Sequence, residues 1–315
     1  MEVLVFGSAI VDFICYVPRL PKAGETLHGT SFATGFGGKG ANQCVAAAKL
    51  GAKTAIIAKV GGDAWGKSYL DHLEKEKVNI DHVQICPNET TGIAQISVAD
   101  GGENNIVIVS GANELLSESD VKKASDLFRE SKVLICQLEA SIEATIVALK
   151  EFPGISILNA APALENTPSE LLEYSTIFCV NENEAALITG FPINSLGDSR
   201  AALLRLIEMG ASTVIITLGG QGAVYMKKTN TQEMVHVPAE KVAKVIDTTG
   251  AGDSFIGALA FYIARFPDVP LHQQIGGACE VASISVQFPG TQSSFPDAKQ
   301  IHTDLTKKQF AWKIL

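Results

Sequence analysis

The chain has 315 residues, 46% of them hydrophobic and only 19% charged, and its 25 basic and 34 acidic side chains give a formal charge of −9. A chain of this length can bury about three quarters of the surface its unfolded form exposes, which excludes disorder and any need for a stapled mini-fold. The acidic balance provides no global field for a nucleic-acid backbone, so a small anionic ligand would have to be held by local backbone amides.

From the N-terminus, Val3–Phe6 reads as a buried strand. The stretch from Phe13 to Phe36 alternates and is broken by Pro18, Pro21, Gly24 and Gly29, which predicts strands outside the main core. A helix over Ala41–Leu50, a strand at Thr54–Ala58 and a helix over Gly66–Lys77 follow. Val83 to Ser110 then holds two alternating runs about Asp100-Gly101-Gly102, a hairpin signal. Further on come a helix over Glu118–Ser131, a strand at Val133–Cys136, a helix over Ile142–Phe152 and strands at Ile155–Leu158 and Ile177–Val180. A helix over Arg200–Met209, a strand at Val214–Ile216 and an apolar helix over Phe255–Phe266 complete the series, and the tail after Pro296 is polar without an element signal.

Strand and helix alternate almost from end to end, which predicts an α/β fold: a three-layer α/β/α core with a mostly parallel sheet and right-handed crossovers. The expectation is a single domain over 1–315, with two insertions at about 13–36 and 83–110 forming a small antiparallel β-lid at one edge. A lid beside such a core commonly closes over a site. The six cysteines (Cys15, Cys44, Cys86, Cys136, Cys179 and Cys279) form no C-x-x-C pair and read as small buried hydrophobes of a reducing compartment. The six histidines are scattered and read as surface residues. Met1-Glu2 opens without a basic leader. No uncharged apolar run approaches the ~20 residues of a bilayer span. A soluble, cytoplasmic protein without a membrane partner is expected, with nuclear entry by diffusion left open.

Three glycine loops are candidates for chemistry. Gly61 to Ser68 fits G-x-x-x-x-G-K-[ST] with Lys67 as its lysine, but Asp63 and Trp65 would intrude on a cradle that must present bare N–H groups to phosphate. An ordinary strand–turn–helix connection competes there. Gly35-Phe36-Gly37-Gly38-Lys39-Gly40 fits G-x-G-x-x-G, yet the polar run before it is not the buried strand a dinucleotide site requires. A close backbone approach to a polar ligand, with Asn42 projecting from the next helical turn, is the other reading. In the third loop, Asp247-Thr248-Thr249-Gly250-Ala251-Gly252-Asp253, small residues open an apolar helix. Free N–H groups and the positive dipole end there make an anion hole. Asp253 beside it is either a dipole-complementing acid or a base for a hydroxyl nucleophile.

Gly37-Gly38-Lys39-Gly40-Ala41-Asn42-Gln43, Asn181-x-x-Glu184 and Asp247-Thr248-Thr249-Gly250-Ala251-Gly252-Asp253 stand in the order and spacing of the ribokinase/PfkB sugar-kinase family, which the chain resembles over nearly its whole length. The resemblance implies a ribokinase-like fold and ATP-dependent phosphorylation of D-ribose to ribose 5-phosphate. Asp253 would be the general base, with Gly250, Ala251 and Gly252 as the anion hole. Asp12, Gly38, Lys39, Asn42 and Glu139 would bind the sugar, although without the resemblance Asp12 reads as a strand end and Glu139 as a helix-start acid. Asn181 and Glu184 would order Mg²⁺ and phosphate, or form a capping box, or both. Thr217, Leu218, Gly219, Gly222, Gly252 and Cys279 would face the nucleotide. Asp247, Thr249, Ser285, Phe288, Gly290 and Ser294 match the family's site for an activating K⁺.

The sequence departs from the family pattern at several points. Ile10 stands where many members have a sugar-binding Asn, Gly62 replaces an acid before Asp63, Asn159-Ala160-Ala161-Pro162 replaces Asn-Pro-Ala-Pro, and Cys279 replaces His or Asn. Deoxyribose, fructose or adenosine therefore remain rival substrates, and a P-loop NTPase using Lys67 and a non-catalytic sugar sensor remain rival functions. Unpaired lid edges invite a homodimer through the β-lid.

Overall fold

The computed structural model describes residues 1–315. In chain order the first half contains β1 (Val3–Phe6), β2 (Ile10–Val17), β3 (Ser31–Gly37), α1 (Lys39–Lys49), β4 (Thr54–Gly61), α2 (Ala64–Lys75), β5 (Asn79–Cys86), β6 (Gly92–Ala99) and β7 (Asn104–Val109). Next come α3 (Glu118–Lys123), α4 (Ser125–Glu130), β8 (Val133–Cys136), α5 (Ile142–Glu151), β9 (Ile155–Asn159), α6 (Ser169–Tyr174), β10 (Ile177–Asn181), α7 (Glu182–Thr189) and α8 (Ser199–Glu208). The last third holds β11 (Thr213–Thr217), β12 (Ala223–Lys227), β13 (Asn230–Val237), α9 (Ala251–Arg265), α10 (Leu271–Ser285) and β14 (Lys313–Ile314).

Ten strands form one sheet in the order β14-β13-β12-β11-β10-β9-β8-β1-β4-β5. Every pairing from β11 to β5 is parallel, whereas β12, β13 and β14 add antiparallel at the other edge. The central strands are apolar at successive positions because both faces are covered. Val3 and Val5 of β1 enter one core with α1 and α9, while Leu4 and Phe6 enter the opposite core with α5 and α8. That period-two division makes the three layers.

The small second sheet, β3-β2-β6-β7, is antiparallel at both flanks and parallel between β2 and β6. The hairpin predicted about Asp100-Gly101-Gly102 joins β6 to β7. One boundary differs from expectation: Val83–Cys86 belongs to β5, paired parallel to β4 in the large sheet. As an edge strand β5 is only partly covered, so its sequence alternates in the same way as a lid strand.

Other differences are local. The helix predicted over Glu118–Ser131 is two, separated at Ala124 (φ −93°, ψ 14°). The tail after Pro296 is structured: Ile301 and Leu305 are buried, Phe310 packs against Gly276 and β14 extends the large sheet. His236 is buried and bonded to the Gln221 carbonyl, and His72 (stacked on Phe36), His82 and His272 (stacked on Trp312) are half-buried, so only His28 and His302 are exposed as expected. Cys44, Cys136, Cys179 and Cys279 are buried free thiols, while Cys15 and Cys86 are only half-buried. No helix is long and apolar enough to cross a membrane.

Candidate active site

The carboxyl ends of the parallel strands converge on one point. Asn159, Asn181 and Thr217 are the last residues of β9, β10 and β11, and Gln137 directly follows β8. Open α/β sheets bind ligands at this end. Facing them is the N-terminus of α9, where Gly250 caps the helix with φ 75°. A side chain there would be strained and would meet Thr291 Cγ2 at 2.5 Å, so the turn demands glycine. Gly252 is different: nothing lies within 4 Å of where its side chain would be.

The amides that open α9 are not all free. Ala251 spends its N–H on the Thr248 carbonyl at 3.2 Å, while the N–H groups of Gly250, Gly252 and Asp253 have no partner within the chain. These three amides, at the cap and first turn, carry the free donors and the dipole end. Asp253 is only 8% exposed. Its Oδ2 accepts from Asn42 Nδ2 at 2.9 Å and its Oδ1 from Gln43 Nε2 at 2.8 Å. Both donors come from α1, which can approach α9 closely because Gly257 presents no side chain to the Gln43 carbonyl.

Around this acid lie the predicted polar residues. Asp12 on β2 is pushed up to about 7, first by burial and then by the charges of Glu139 and Asp253. Glu139 opens no helix, since α5 starts at Ile142 behind the Ser141 cap. Instead it accepts from Ser8 Oγ at 2.6 Å and from the Lys39 N–H at 2.8 Å, pinning the start of α1. Gly38 has φ 83° and passes so close to the Ile10 backbone that no side chain fits. Burial works to lower the Lys39 ammonium, but the carboxylates of Asp253, Glu139 and Glu184 outweigh it and leave the group above its ordinary value.

Two cavities meet here. A polar one of about 190 Å³ is lined by Lys39, Asn159, Asn181, Glu184, Gly250, Gly252 and Asp253, among others. A larger, mostly apolar one of about 440 Å³ is lined by Gly219, Gly222, Val242, Val245, Cys279, Ala282 and Val286, among others. Thr217, Gly252 and Phe255 line both. Leu218 alone of the expected nucleotide-facing residues lines neither; it is buried in the core on the far side of the sheet. Cys279 lines the larger cavity with its thiol pushed up to about 12 by burial.

Asn181 and Glu184 form the capping box of α7: the Glu184 N–H donates to Asn181 Oδ1 and the Asn181 N–H to Glu184 Oε2, each at 2.8 Å. Burial raises the Glu184 carboxyl above its usual range. The six positions matching a cation site fall into two joined groups. Asp247 accepts from the N–H groups of Thr249 and Gly290, both at 2.9 Å, tying the α9 loop to the segment that holds Phe288 and Ser294. Ser285 ends α10, with its Oγ 3.2 Å from Ser254 Oγ on α9. A donor set of hydroxyl, carbonyl and carboxylate oxygens suits a hard cation. No group of three or more His, Cys, Asp or Glu side chains is placed to hold a metal.

The Gly61–Ser68 loop is no phosphate cradle. Asp63 fills it, accepting from the Gly66 N–H at 2.8 Å, the Thr91 N–H at 2.7 Å and Thr91 Oγ1 at 2.6 Å. Lys67 points to solvent and pairs with Asp71 at 3.2 Å. The NTPase reading built on Lys67 is thereby corrected to a capped strand–turn–helix connection.

Sequence reasoning missed Gln43, Gln137, Asn159 and Gln292 as parts of the site. Only Gly257 inside the apolar helix α9 signalled that another backbone comes close there.

This fold and site define a carbohydrate-phosphorylating α/β enzyme. The pfkB family carbohydrate kinase profile matches residues 1–298. Ribokinase of Mus musculus is 44% identical over 304 residues, spanning 95% of this chain and 93% of its own. Deoxyribokinase of Salmonella typhi is 38% identical over 309 residues, spanning 97% and 99%. Among solved structures, Arabidopsis thaliana ribokinase complexed with ribose and ATP superposes with a TM-score of 0.87 at 30% identity, covering 98% of this chain and 99% of that one. The chain belongs to the ribokinase/PfkB family of carbohydrate kinases.

Proposed function

We propose that the chain transfers the γ-phosphoryl group of ATP to the 5-hydroxyl of D-ribose. The observation that carries this reading is Asp253: a buried carboxylate beside three free amides, lining a polar recess that adjoins an apolar cavity. Ribose lies against Asp12, Gly38, Asn42 and Glu139, because each buried sugar hydroxyl needs a short polar partner. The adenine occupies the cavity above Gly219, Gly222 and Cys279, and the phosphates reach down past Gly252 into the recess beside Lys39.

Asp253 takes the hydroxyl proton as that oxygen attacks the γ-phosphorus in line. The new O–P bond forms while the bond to the β-phosphate oxygen breaks, and ADP leaves. The Gly252 and Asp253 amides and the Lys39 ammonium receive the charge that develops on the transferring group. Asn181 and Glu184 would hold Mg²⁺, partly through water, and the ion would neutralise phosphate charge. Asp247, Thr249, Ser285, Phe288, Gly290 and Ser294 would hold K⁺, which would stiffen the loop carrying the anion hole.

Ile10 favours one second reading, 2-deoxyribose as substrate. It is buried at the start of β2, two residues from Asp12 and hence on the same face of the strand. An apolar group there suits a sugar lacking a hydroxyl. The deciding experiment is a coupled ADP-release assay over ribose, 2-deoxyribose, fructose and adenosine, with and without potassium. Ribose is expected to give the highest kcat/KM; a higher value for any other acceptor refutes the substrate assignment.

The assembly proposed is a homodimer through the lid. Ile106, Val107, Ile108 and Val109 of the edge strand β7 are each more than half exposed, the pattern of a strand awaiting a partner.

A further inference from the structure

Asp253 is gripped by an amide that is itself fully committed. Gln43 Nε2 donates to Asp253 Oδ1 at 2.8 Å and to Asn159 Oδ1 at 3.0 Å, which uses both of its hydrogens. Its Oε1 accepts from Gln137 Nε2 at 2.6 Å. Reversing the amide would set its oxygen against two oxygens and its nitrogen against another donor, so only one orientation is allowed. Gln43 and Gln137 are 0% and 1% exposed, and the Gln137 side chain fits only because Gly7 has no Cβ. Neither glutamine lines the polar recess or the apolar cavity beside Asp253, and both are closed off from solvent.

We infer that Gln43, locked by Gln137 and Asn159, is a positioning residue for phosphoryl transfer: it fixes the rotation of the Asp253 carboxylate so that a free lone pair faces the incoming hydroxyl. This rests on the reading of Asp253 as the base. Asn42 takes one lone pair of Oδ2 and Gln43 one of Oδ1. The remaining lone pairs are thereby aimed, and the carboxylate cannot swing when its charge changes. Without Gln43 the carboxylate is held from one side only, and a small misplacement of a reacting group costs much of its rate. The charged groups around Asp253 are Lys39 from α1, Asp12 from β2 and Glu184 from α7, and none of them touches Gln43 through a hydrogen bond.

The test is Gln43→Met, which keeps length and volume but removes the donor. At saturating sugar and ATP, kcat is expected to fall about 10- to 100-fold, the range implied by losing one hydrogen bond to an ionised group. The ribose KM should stay within about threefold, since the lost interaction acts on the base and not on the bound sugar. A merely structural glutamine would lower thermal stability and active fraction but leave kcat per active site unchanged. Asp253→Asn, run alongside, separates the two claims. Undiminished turnover in Asp253→Asn removes the base itself. A dead Asp253→Asn together with a Gln43→Met variant of normal kcat overturns the positioning role alone. Should Gln43→Met fail to fold, Gln137→Met removes the donor that holds Gln43 Oε1, loosening the amide, and should cost about 3- to 10-fold in kcat; unchanged kcat there also overturns the inference.

Discussion

Replacing Asp253 by Asn removes the negative charge and the basic lone pairs while leaving the shape of the side chain. General-base assistance contributes about 10²–10⁴-fold, or roughly 3–5 kcal/mol of barrier, and that is the loss of turnover expected. The surroundings add a second effect. Both Asp253 oxygens accept amide N–H groups, from Asn42 and Gln43. An Asn can offer an oxygen to only one of them, and its own NH₂ must confront the other. Gln43 cannot turn, because Gln137 and Asn159 fix it, so Asn42 must give way even though its Oδ1 accepts from Gln292 at 2.9 Å. One frustrated buried donor costs about 1–3 kcal/mol, which should appear as a lower Tm without loss of the folded state. Ribose binding measured by calorimetry should weaken where Asn42 shifts but remain measurable, since Asp12 and Glu139 are unaltered. Single-turnover ADP formation measures the chemical step directly, and turnover within about threefold of the parent would refute a general-base role.

Three further outcomes are expected. Asp12 has a folded-state pKa raised to about 7, so the folded chain binds more protons than the unfolded one between the ordinary carboxylate value and that point, and stability falls as pH rises through the window. Asp12→Asn should therefore raise Tm by a few degrees at about pH 8 and lose that advantage by about pH 4, as scanning calorimetry at both pH values will show; equal shifts would contradict the assignment. Gly252→Ala meets open space and should keep the parent Tm, yet its methyl group projects where phosphate must lie and should cost about tenfold or more in kcat/KM for ATP. Gly250→Ala, strained at φ 75°, should instead lower Tm, and the two variants behaving alike would undo this distinction. Val107→Lys places a charge on the exposed edge strand and should convert a dimer to a monomer in sedimentation, while a parent protein already monomeric at micromolar concentration ends the dimer proposal.

The layered core was readable because its strands are short and apolar on both faces and its helices amphipathic. Val133–Cys136 was delimited to the residue. What escaped depended on distant partners. Nothing local marks the break at Ala124, and Ile301, Leu305 and Phe310 sit in polar surroundings that give no periodic pattern. Strands β12 and β13 went unpredicted beside a clear β11. At the site, charged residues within motifs were visible, since loops of small residues at a helix start have a definite chemistry. The amides of Gln43, Gln137 and Gln292 carry neither charge nor motif, and their purpose emerges only once β8, α1 and the segment around Gly290 meet at Asp253. Asp63 is instructive in the opposite sense: its letters fit a P-loop, and its carboxylate occupies the place a phosphate would need.

The most direct measurement is a crystal structure of the chain with ribose and a non-hydrolysable ATP analogue. A carboxylate oxygen of Asp253 should lie about 3 Å from the sugar's 5-hydroxyl oxygen, within hydrogen-bond reach, with the terminal phosphate against the Gly252 N–H. If that carboxylate instead turned away from the sugar, or the phosphate settled elsewhere than α9, the account would be wrong.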